Sequence, residues 1–393
     1  MDAVKTMSRT RSSSSWSLSL LLWIAMAVVA PARAWDHFTP QDLEQALAGG
    51  EFALVAFVSN DEPKSASLEP EWLAAAAEST ERLLSVDCVL AAETCARYDI
   101  ASYPSVVLFY SGKPVSLYRG ARQASALLNF AARRKQPAIP EAVDAGSITA
   151  FKVADEIVFI AFLDPQDHAS ATEFSEVAAR YRDEFLFGTA KDVSVAEAEG
   201  VKAPAVVCYK PADGHSATFS SLDSTGKLDA WVQETSRPVL GDLTLWNRQR
   251  LLDRGWPMVY LFAPTESERQ ELRQTLYKFA KSYYDSLTSV MVDPLEFPDL
   301  MGQMGLGANV FPAGAVHQLS KDRIYRYPRD KPLDSRGIQQ WGLDVYQGRI
   351  KPWTPPGVTT TYEDLGPTRV ATGRVSLRSL PGMKIKISGH DEL

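Results

Sequence analysis

The sequence predicts an α/β protein of three tandem domains, and two observations indicate this fold. Strand–helix–strand segments recur at intervals of about one hundred residues along the chain, and such a period is typical of repeated structural units. In each unit a proline stands directly before a later strand. Strands that alternate with helices through short connections favour layered α/β domains. The 393 residues are enough for several hydrophobic cores.

The strands of each unit are predicted by apolar segments. Residues 52–58, 156–163 and 257–263 are apolar runs that suit a buried first strand. Each run is followed by helical periodicity and then by a second short strand. These second strands are expected at residues 83–87, 185–190 and 288–293.

The proline before the next strand is the most regular feature of the repeat. Pro104, Pro204 and Pro312 stand at matching places in the three units. A proline at the start of a buried strand removes a ladder donor and requires a tight turn. Its recurrence predicts a cis peptide bond before each of the three prolines.

Residues 1–34 have the pattern of a secretory signal peptide. A Ser-rich start with basic residues precedes an apolar run over residues 18–30, and Ala32-Arg33-Ala34 matches a small-x-small cleavage site. The alternative is a membrane anchor, but the run is short for a bilayer span. We therefore expect cleavage before Trp35 and no membrane insertion of the mature form.

The last four residues form a retention signal. His390, Asp391, Glu392 and Leu393 spell HDEL, which a receptor reads as an address for the endoplasmic reticulum. Fungi and plants favour this form. The two ends together predict a resident of the endoplasmic reticulum lumen, with the HDEL receptor as one partner.

The composition argues against several other classes of function. The formal net charge of −7 offers no basic surface for nucleic acid, and the sequence has no acidic tail of the kind found in calcium buffers. The five histidines are scattered, without the Cys/His spacing of zinc sites. Phosphate-binding and dinucleotide motifs are also missing from the sequence. We expect neither a metal nor a cofactor.

The turn after the first strand has the form of a disulfide-exchange site without its cysteines. Strand 54–58 leads into a polar turn, and an amphipathic helix is predicted to begin near Ser65. In a redox protein such a turn carries Cys-x-x-Cys, because the helix N-terminus stabilises a thiolate. Here the four positions are Glu62, Pro63, Lys64 and Ser65. We therefore expect no catalytic residue there and a function based on binding.

With these motifs, residues 35–353 resemble the protein disulfide isomerase family. The first unit is similar to a catalytic-type thioredoxin-like domain in Phe57, in the segment Leu68-x-Pro70-Glu71 and in residues 98–104 and 118–122. The later units resemble the non-catalytic b and b′ domains. The resemblance implies the following order: signal peptide 1–34, a-type domain 35–137, b-type domain 138–237, b′-type domain 238–353 and a flexible tail 354–393.

Two departures from the family pattern shape the functional expectation. Both cysteines of the motif are replaced, and the family's buried glutamate aligns with Ala56, although Arg122 matches a family arginine. The resemblance thus implies a redox-inactive member, not an enzyme, that binds unfolded or partly folded secretory proteins as a chaperone or escort. The alternatives are a scaffold subunit of another endoplasmic reticulum enzyme and a protein disulfide isomerase with residual activity.

The three cysteines have separate expected roles. Some family members carry a structural disulfide at the spacing of Cys88 and Cys95, and an oxidising compartment favours this bond. A displaced redox pair is the alternative. Cys208, inside an apolar strand, is expected to be an inert core thiol rather than a link to a partner.

The resemblance also implies a ligand groove in the third unit. The groove positions of the b′ domain fall on Leu261, Ala263, Leu276 and Val290. Apolar residues at strand and helix periodicity are mostly core residues, so burial is the competing expectation. The sequence does not decide whether a groove is open or is covered by the linker around Trp353. It also leaves open the client, the oligomeric state and any binding by the first unit.

Overall fold

The computed structural model describes residues 35–140, 143–222 and 226–357. The compact unit that begins at His37 contains three β-sheets in chain order. The predicted signal peptide, the retention signal and residues 358–393 of the predicted tail lie outside the described residues. Within the described part of the chain, none of the helices is both long enough and apolar enough to span a membrane.

The first domain has a four-stranded sheet in the order β2-β1-β3-β4. Strands β1 and β2 are parallel, whereas β3 runs antiparallel to β1 and β4. The elements are α1 (Pro40–Leu47), β1 (Phe52–Val58), α2 (Pro63–Glu78), β2 (Arg82–Asp87), α3 (Ala92–Arg97), β3 (Ser105–Tyr110), β4 (Lys113–Leu117) and α4 (Ala124–Lys135).

The second domain repeats this arrangement with the strand order β6-β5-β7-β8. The pair β5/β6 is parallel, and β7 runs antiparallel to β5 and β8. The elements are α5 (Ile148–Phe151), β5 (Val158–Phe162), α6 (His168–Tyr181), β6 (Leu186–Ala190), α7 (Val193–Ala198), β7 (Ala205–Lys210), β8 (His215–Phe219) and α8 (Lys227–Thr235).

The third domain adds a short fifth strand at the edge, in the order β13-β12-β10-β11-β9. Strand β10 is parallel to β11 and antiparallel to β12. The elements are β9 (Gly241–Asp242), α9 (Arg248–Asp253), β10 (Met258–Phe262), α10 (Glu266–Ser282), β11 (Thr288–Val292), α11 (Pro298–Gln303), β12 (Ala313–Gln318), β13 (Arg323–Arg326) and α12 (Ser335–Tyr346).

The central strand of each sheet is apolar along its whole length because helices cover both faces. In β5, Phe159 and Ala161 face a core that contains residues of α6 and α8, while Val158, Ile160 and Phe162 face residues of α5 and α7. Strands buried on both faces read as continuous apolar runs. The predicted fold of three tandem α/β domains is confirmed, and the predicted strands agree with the observed ones to within two residues at each end.

Ion pairs join the second domain to both of its neighbours. Arg133 of α4 pairs with Asp155, and both side chains are more than nine-tenths buried. On the other side, Arg250 of α9 pairs with Glu184 at 2.9 Å. The Lys210 ammonium also donates to the Tyr284 hydroxyl of the third domain at 3.1 Å. Such partly buried pairs lose less of their strength to solvent than exposed ones.

The first and third domains also touch directly. Trp246, between β9 and α9, packs against Tyr118 and Phe130, with ring centroids 5.1 Å and 5.9 Å away. Its backbone N–H donates to the Arg119 carbonyl at 3.3 Å. A Cβ at Gly120 would lie 2.7 Å from the Trp246 ring, so only glycine permits this approach. The three domains therefore close around one another rather than forming an open string.

Candidate functional site

The turn that resembles a redox motif is closed by a serine. The Ser59 backbone N–H donates to the Ser65 hydroxyl at 3.0 Å, and Ser65 is buried at the first turn of α2. Glu62 precedes the helix without capping it through its side chain, and Pro63 is the first helical residue. Ser65, at the second of the two cysteine positions of the motif, thus holds the end of β1 to the start of the helix.

The other residues that match the family have structural contacts. An Arg122 guanidinium N–H donates to the Lys64 carbonyl at 3.4 Å. The Glu71 carboxylate accepts from the Ala124 backbone N–H at 3.0 Å, at the start of α4. Ala56 is fully buried in β1 and brings no titratable group to the turn. These contacts tie the turn and α2 to the segment before α4.

Cys88 and Cys95 form a disulfide directly after β2, with Cα atoms 5.8 Å apart. The two residues are only 4% and 1% exposed. The loop between them nevertheless projects Leu90, which is 84% exposed. The bond holds this loop against the end of β2, where Asn60 donates to the Asp87 carboxylate at 2.6 Å.

The third cysteine is buried in a core strand. Cys208 lies in β7 within the core shared with α6 and α8. Burial raises the pKa of its thiol to about 12. A thiol with so high a pKa is almost entirely protonated near pH 7 and is a poor nucleophile.

The peptide bonds before Pro104, Pro204 and Pro312 are cis. Each proline stands immediately before the strand that pairs antiparallel with the central strand of its sheet. In the third domain this bend borders a pocket.

The four positions assigned to a ligand groove lie inside the third domain. Leu261, Ala263, Leu276 and Val290 are 0%, 1%, 0% and 3% exposed. Leu261 and Leu276 belong to the core beneath α10 and α12, whereas Val290 faces the core on the opposite side of the sheet. In this conformation none of the four side chains is accessible to a ligand. Leu276 lies on the buried face of α10 and packs in the same core as Leu261.

A pocket of about 180 Å³ lies beside the bend at Pro312. Phe311, Tyr327 and Leu333 supply part of its apolar wall, and Val310 lines it while 39% exposed to solvent. Arg329 and Lys331 stand at its exposed rim. Sequence reasoning missed these residues. The one available signal was the proline bend itself, since the wall combines residues 306–314 with residues 327–333, which only the folded sheet brings together.

A larger cavity of about 330 Å³ lies where the three domains meet. Among its lining residues are Asn129, Glu156 and Asp242, one from each domain. Glu156 keeps an exposed side chain in the cavity wall, where the surrounding protein, followed by the nearby Asp242 and Asp155 carboxylates, raises its pKa to about 7. Burial also raises the pKa of Asp242, against the attraction of Arg273. Among the described residues, no group of His, Cys, Asp or Glu side chains is arranged to hold a metal ion.

Burial has a similar effect on a carboxyl group next to α11. It raises the pKa of Glu296 to about 8, although the Arg122 guanidinium of the first domain opposes the change. Asp293 and Asp242 add to the increase. The Glu296 carboxyl group therefore lies where burial favours its protonated form.

Comparison with known proteins identifies the domain type. Residues 35–133 match the Thioredoxin family model and residues 162–342 match the Thioredoxin_6 model, described as a thioredoxin-like domain. The chain is 29% identical to the protein disulfide-isomerase of Humicola insolens, over 84% of this chain and 66% of the relative. It is 28% identical to that of Aspergillus oryzae, over 87% of this chain and 68% of the relative. The chain thus spans about two thirds of the length of these relatives.

Solved structures give matches with lower sequence identity. Human ERp44 in its crystal form II is 21% identical, with a TM-score of 0.37, over 80% of this chain and 88% of that chain. The bb fragment of ERp72 is 15% identical, with a TM-score of 0.44, over 55% of this chain and 100% of that fragment.

These comparisons correct one expectation. The replacement of both cysteines at residues 62–65 predicted a protein that is not an enzyme. Its homologues are named protein disulfide-isomerase, which is an enzyme, and the structure contains the Cys88–Cys95 disulfide. The prediction of a non-enzyme is therefore contradicted.

Proposed function

We propose that this member of the protein disulfide-isomerase family, built from thioredoxin-like domains, binds unfolded or partly folded secretory proteins in the endoplasmic reticulum lumen. It acts there in protein folding as a chaperone or escort. The signal-peptide pattern at residues 1–34 and the terminal HDEL support the compartment. The names of the relatives support a role connected with protein folding.

The observation that carries this proposal is the pocket beside Pro312. Its volume is about 180 Å³. Typical small-molecule sites have volumes of about 300–1,000 Å³, so this pocket suits one large side chain of a longer ligand. Val310, Phe311 and Tyr327 give it an apolar lining. Insertion of an exposed apolar side chain into such a lining is favourable and requires little sequence specificity.

Binding of this kind is independent of thiol chemistry. The pocket lies in the third domain, whereas Glu62, Ser65 and the Cys88–Cys95 disulfide lie in the first. The Glu-Pro-Lys-Ser turn lies outside the pocket, so binding and thiol chemistry can be measured separately.

A Val310→Asp variant tests the proposed binding. The full chain is titrated against reduced, carboxymethylated lactalbumin, a soluble unfolded protein, and binding is followed by fluorescence anisotropy. A carboxylate at the wall of an apolar pocket is costly to desolvate, so the affinity is expected to fall by about tenfold. Val193→Asp is the matched control, because Val193 is an exposed valine of the second domain.

Equal affinities of wild type and Val310→Asp would remove the pocket from the proposed function. Absence of binding by the wild type itself would overturn the proposed function as a whole.

Disulfide exchange is a second candidate function, favoured by the names of the relatives and by the Cys88–Cys95 bond. A client thiolate would attack one sulfur and release the other as a thiolate, and a second client thiol would then displace the mixed disulfide. Both cysteines are nearly fully buried, so the step requires local opening of the loop. Oxidative refolding of reduced ribonuclease, with wild type or a Cys88→Ala/Cys95→Ala variant in stoichiometric amount, measures it, because the reduced substrate supplies the two thiols that the step consumes. Activity that disappears in the variant would assign exchange to this pair.

A further inference from the structure

The pocket beside Pro312 combines an apolar wall with a cationic rim. Arg329 and Lys331 line it and are exposed. Arg326, also exposed, donates to the Gly305 carbonyl at 3.0 Å on the neighbouring loop. Within the described ranges, neither Arg329 nor Lys331 has a carboxylate within ion-pair distance, although Asp330 stands between them in the sequence.

The rim charge contrasts with the rest of the molecule. Residues 321–331 contain five Lys and Arg residues and two Asp residues, in a chain whose formal net charge is −7. One of the two acids, Asp322, is paired with His317 at 2.8 Å. The segment that forms β13 and the following loop therefore carries a net positive charge next to an apolar pocket, while the Asp334 and Asp330 carboxylates lie near Tyr327 of the pocket wall.

Glycines hold the rim close to the pocket. A Cβ at Gly307 would collide with the Arg329 guanidinium, so the arginine lies directly over the Gly307 backbone. At the floor, a Cβ at Gly314 would meet Leu333 at 3.4 Å and the Tyr327 Cβ at 3.5 Å. Because Gly307 has no side chain, the Arg329 guanidinium can lie beside the pocket. Because Gly314 has none, the space next to Leu333 and Tyr327 stays free of a further methyl group.

From these features we propose that the pocket selects segments in which one bulky apolar residue is flanked by acidic residues. The apolar side chain fills the pocket, and the flanking carboxylates reach Arg329 and Lys331. This inference rests on the proposed function and names the class of segment that is bound. A planar guanidinium pairs with carboxylate in a bidentate manner, which adds orientation as well as attraction.

The charge contacts should set selectivity more than total affinity. Rim-exposed ion pairs are individually weak and are screened by salt. Two of them are expected to favour an acidic segment over a neutral one by about fivefold to tenfold at low salt. Electrostatic complementarity of this kind also raises the association rate.

The experiment uses fluorescein-labelled twelve-residue peptides and the full chain. The parent peptide has one central Leu, two Asp on each side and Ser/Gly elsewhere. In three relatives, Asn replaces Asp, Lys replaces Asp, or Gly replaces Leu. Anisotropy titrations compare wild type, Arg329→Gln/Lys331→Gln and the control Lys191→Gln/Lys202→Gln, whose lysines are exposed in the second domain.

We expect the parent peptide to bind wild type and the control alike, about fivefold to tenfold tighter than the Asn peptide and much tighter than the Gly peptide. The preference for Asp over Asn should vanish in Arg329→Gln/Lys331→Gln and decline with added salt. Equal affinity for the Asp, Asn and Lys peptides would overturn this inference while leaving the proposed function in place. Failure of all four peptides to bind, together with failure of the unfolded lactalbumin, would overturn both.

Discussion

At the scale of single residues, the turn at residues 62–65 precedes a helix as a redox motif would, but hydrogen bonds replace its cysteines. Ser65 accepts a hydrogen bond from the Ser59 N–H, and Arg122 donates to the Lys64 carbonyl. The one disulfide in the described residues joins Cys88 and Cys95, directly after β2. Its burial favours a role in holding the loop after β2, because a buried bond is shielded from thiolates in solution.

Removal of this disulfide should weaken the fold. In a Cys88→Ala/Cys95→Ala variant, the short loop gains freedom in the unfolded chain, so the free energy of unfolding is expected to fall by about 2 kcal/mol. Urea denaturation, followed by near-ultraviolet circular dichroism, measures the change. The wild type treated with reductant should shift by a similar amount. An unchanged midpoint in both samples would show that the bond adds nothing to stability.

At the scale of elements, α10 shows how the local sequence sets the residue at which a helix begins. The Thr265 hydroxyl accepts from the Glu268 N–H at 3.3 Å, and the Glu268 carboxylate accepts from the Thr265 N–H at 3.1 Å. This reciprocal arrangement is a capping box, which satisfies two otherwise unpaired donors. The Thr-x-x-Glu spacing is present in the sequence and marks the helix start without tertiary information.

The capping box gives a prediction at the same scale. Thr265→Ala should lower the free energy of unfolding by about 1 kcal/mol, because the helix loses one side-chain acceptor. Thr275→Ala is the matched control, since Thr275 is exposed in the interior of the same helix and alanine is favoured there. Chemical denaturation of both variants measures the difference. A loss in Thr275→Ala as large as that in Thr265→Ala would contradict the assignment of the cap.

At the scale of the whole molecule, the domains meet through aromatic packing, ion pairs and carboxyl groups of raised pKa. Trp246 lies against Tyr118 and Phe130, and Arg133 pairs with Asp155. Glu156 lines the central cavity beside Asp242. The relative positions of the domains therefore depend both on close packing and on the charge state of the junction.

Close packing at the junction is testable at one glycine. Gly120→Ala would place a methyl group 2.7 Å from the Trp246 ring and 2.6 Å from the Tyr118 hydroxyl oxygen. The first and third domains should then separate, which small-angle X-ray scattering would detect as a larger radius of gyration. Gly342→Ala is the control, because its Cβ would meet no atom within 4 Å. An unchanged radius in Gly120→Ala would show that the junction adapts to the extra methyl group.

The charge state of the junction predicts a pH dependence. The pKa values of Glu156 and Glu296 are about 7 and about 8 in the folded protein, above the usual value of 4.5. The folded state then binds more protons than the unfolded state between these values, so stability falls as pH rises from about 4.5 to about 8. Urea midpoints across this range measure the slope.

A matched variant identifies the source of the slope. Glu156→Gln/Glu296→Gln removes both groups that change their proton binding, so its midpoint should vary less with pH and should exceed that of the wild type near pH 8. Identical slopes in the two proteins would assign the dependence to other groups.

Much of the fold could be predicted from the sequence because it depends on local patterns. Apolar runs such as residues 52–58 predicted the strand positions, and a repeated proline before the later strand predicted three equivalent units. The placement of a ligand groove rested instead on the resemblance to a family, whereas strand and helix periodicity predicted the burial that Leu261 and Leu276 show. Periodicity identifies the face of a helix or strand that packs against the core. A binding site instead needs apolar side chains that remain accessible to solvent after packing.

The sequence by itself determined the α/β class, the three-unit order and the missing cysteines at residues 62–65, because each follows from residues close together in the chain. Only the tertiary structure decided that Val310 and Lys331 share a pocket and that Trp246 reaches Tyr118. It also decided that carboxyl groups of different domains meet in one cavity. These features arise from segments that are distant in sequence, and their contacts are selected by packing of whole domains rather than by local propensity.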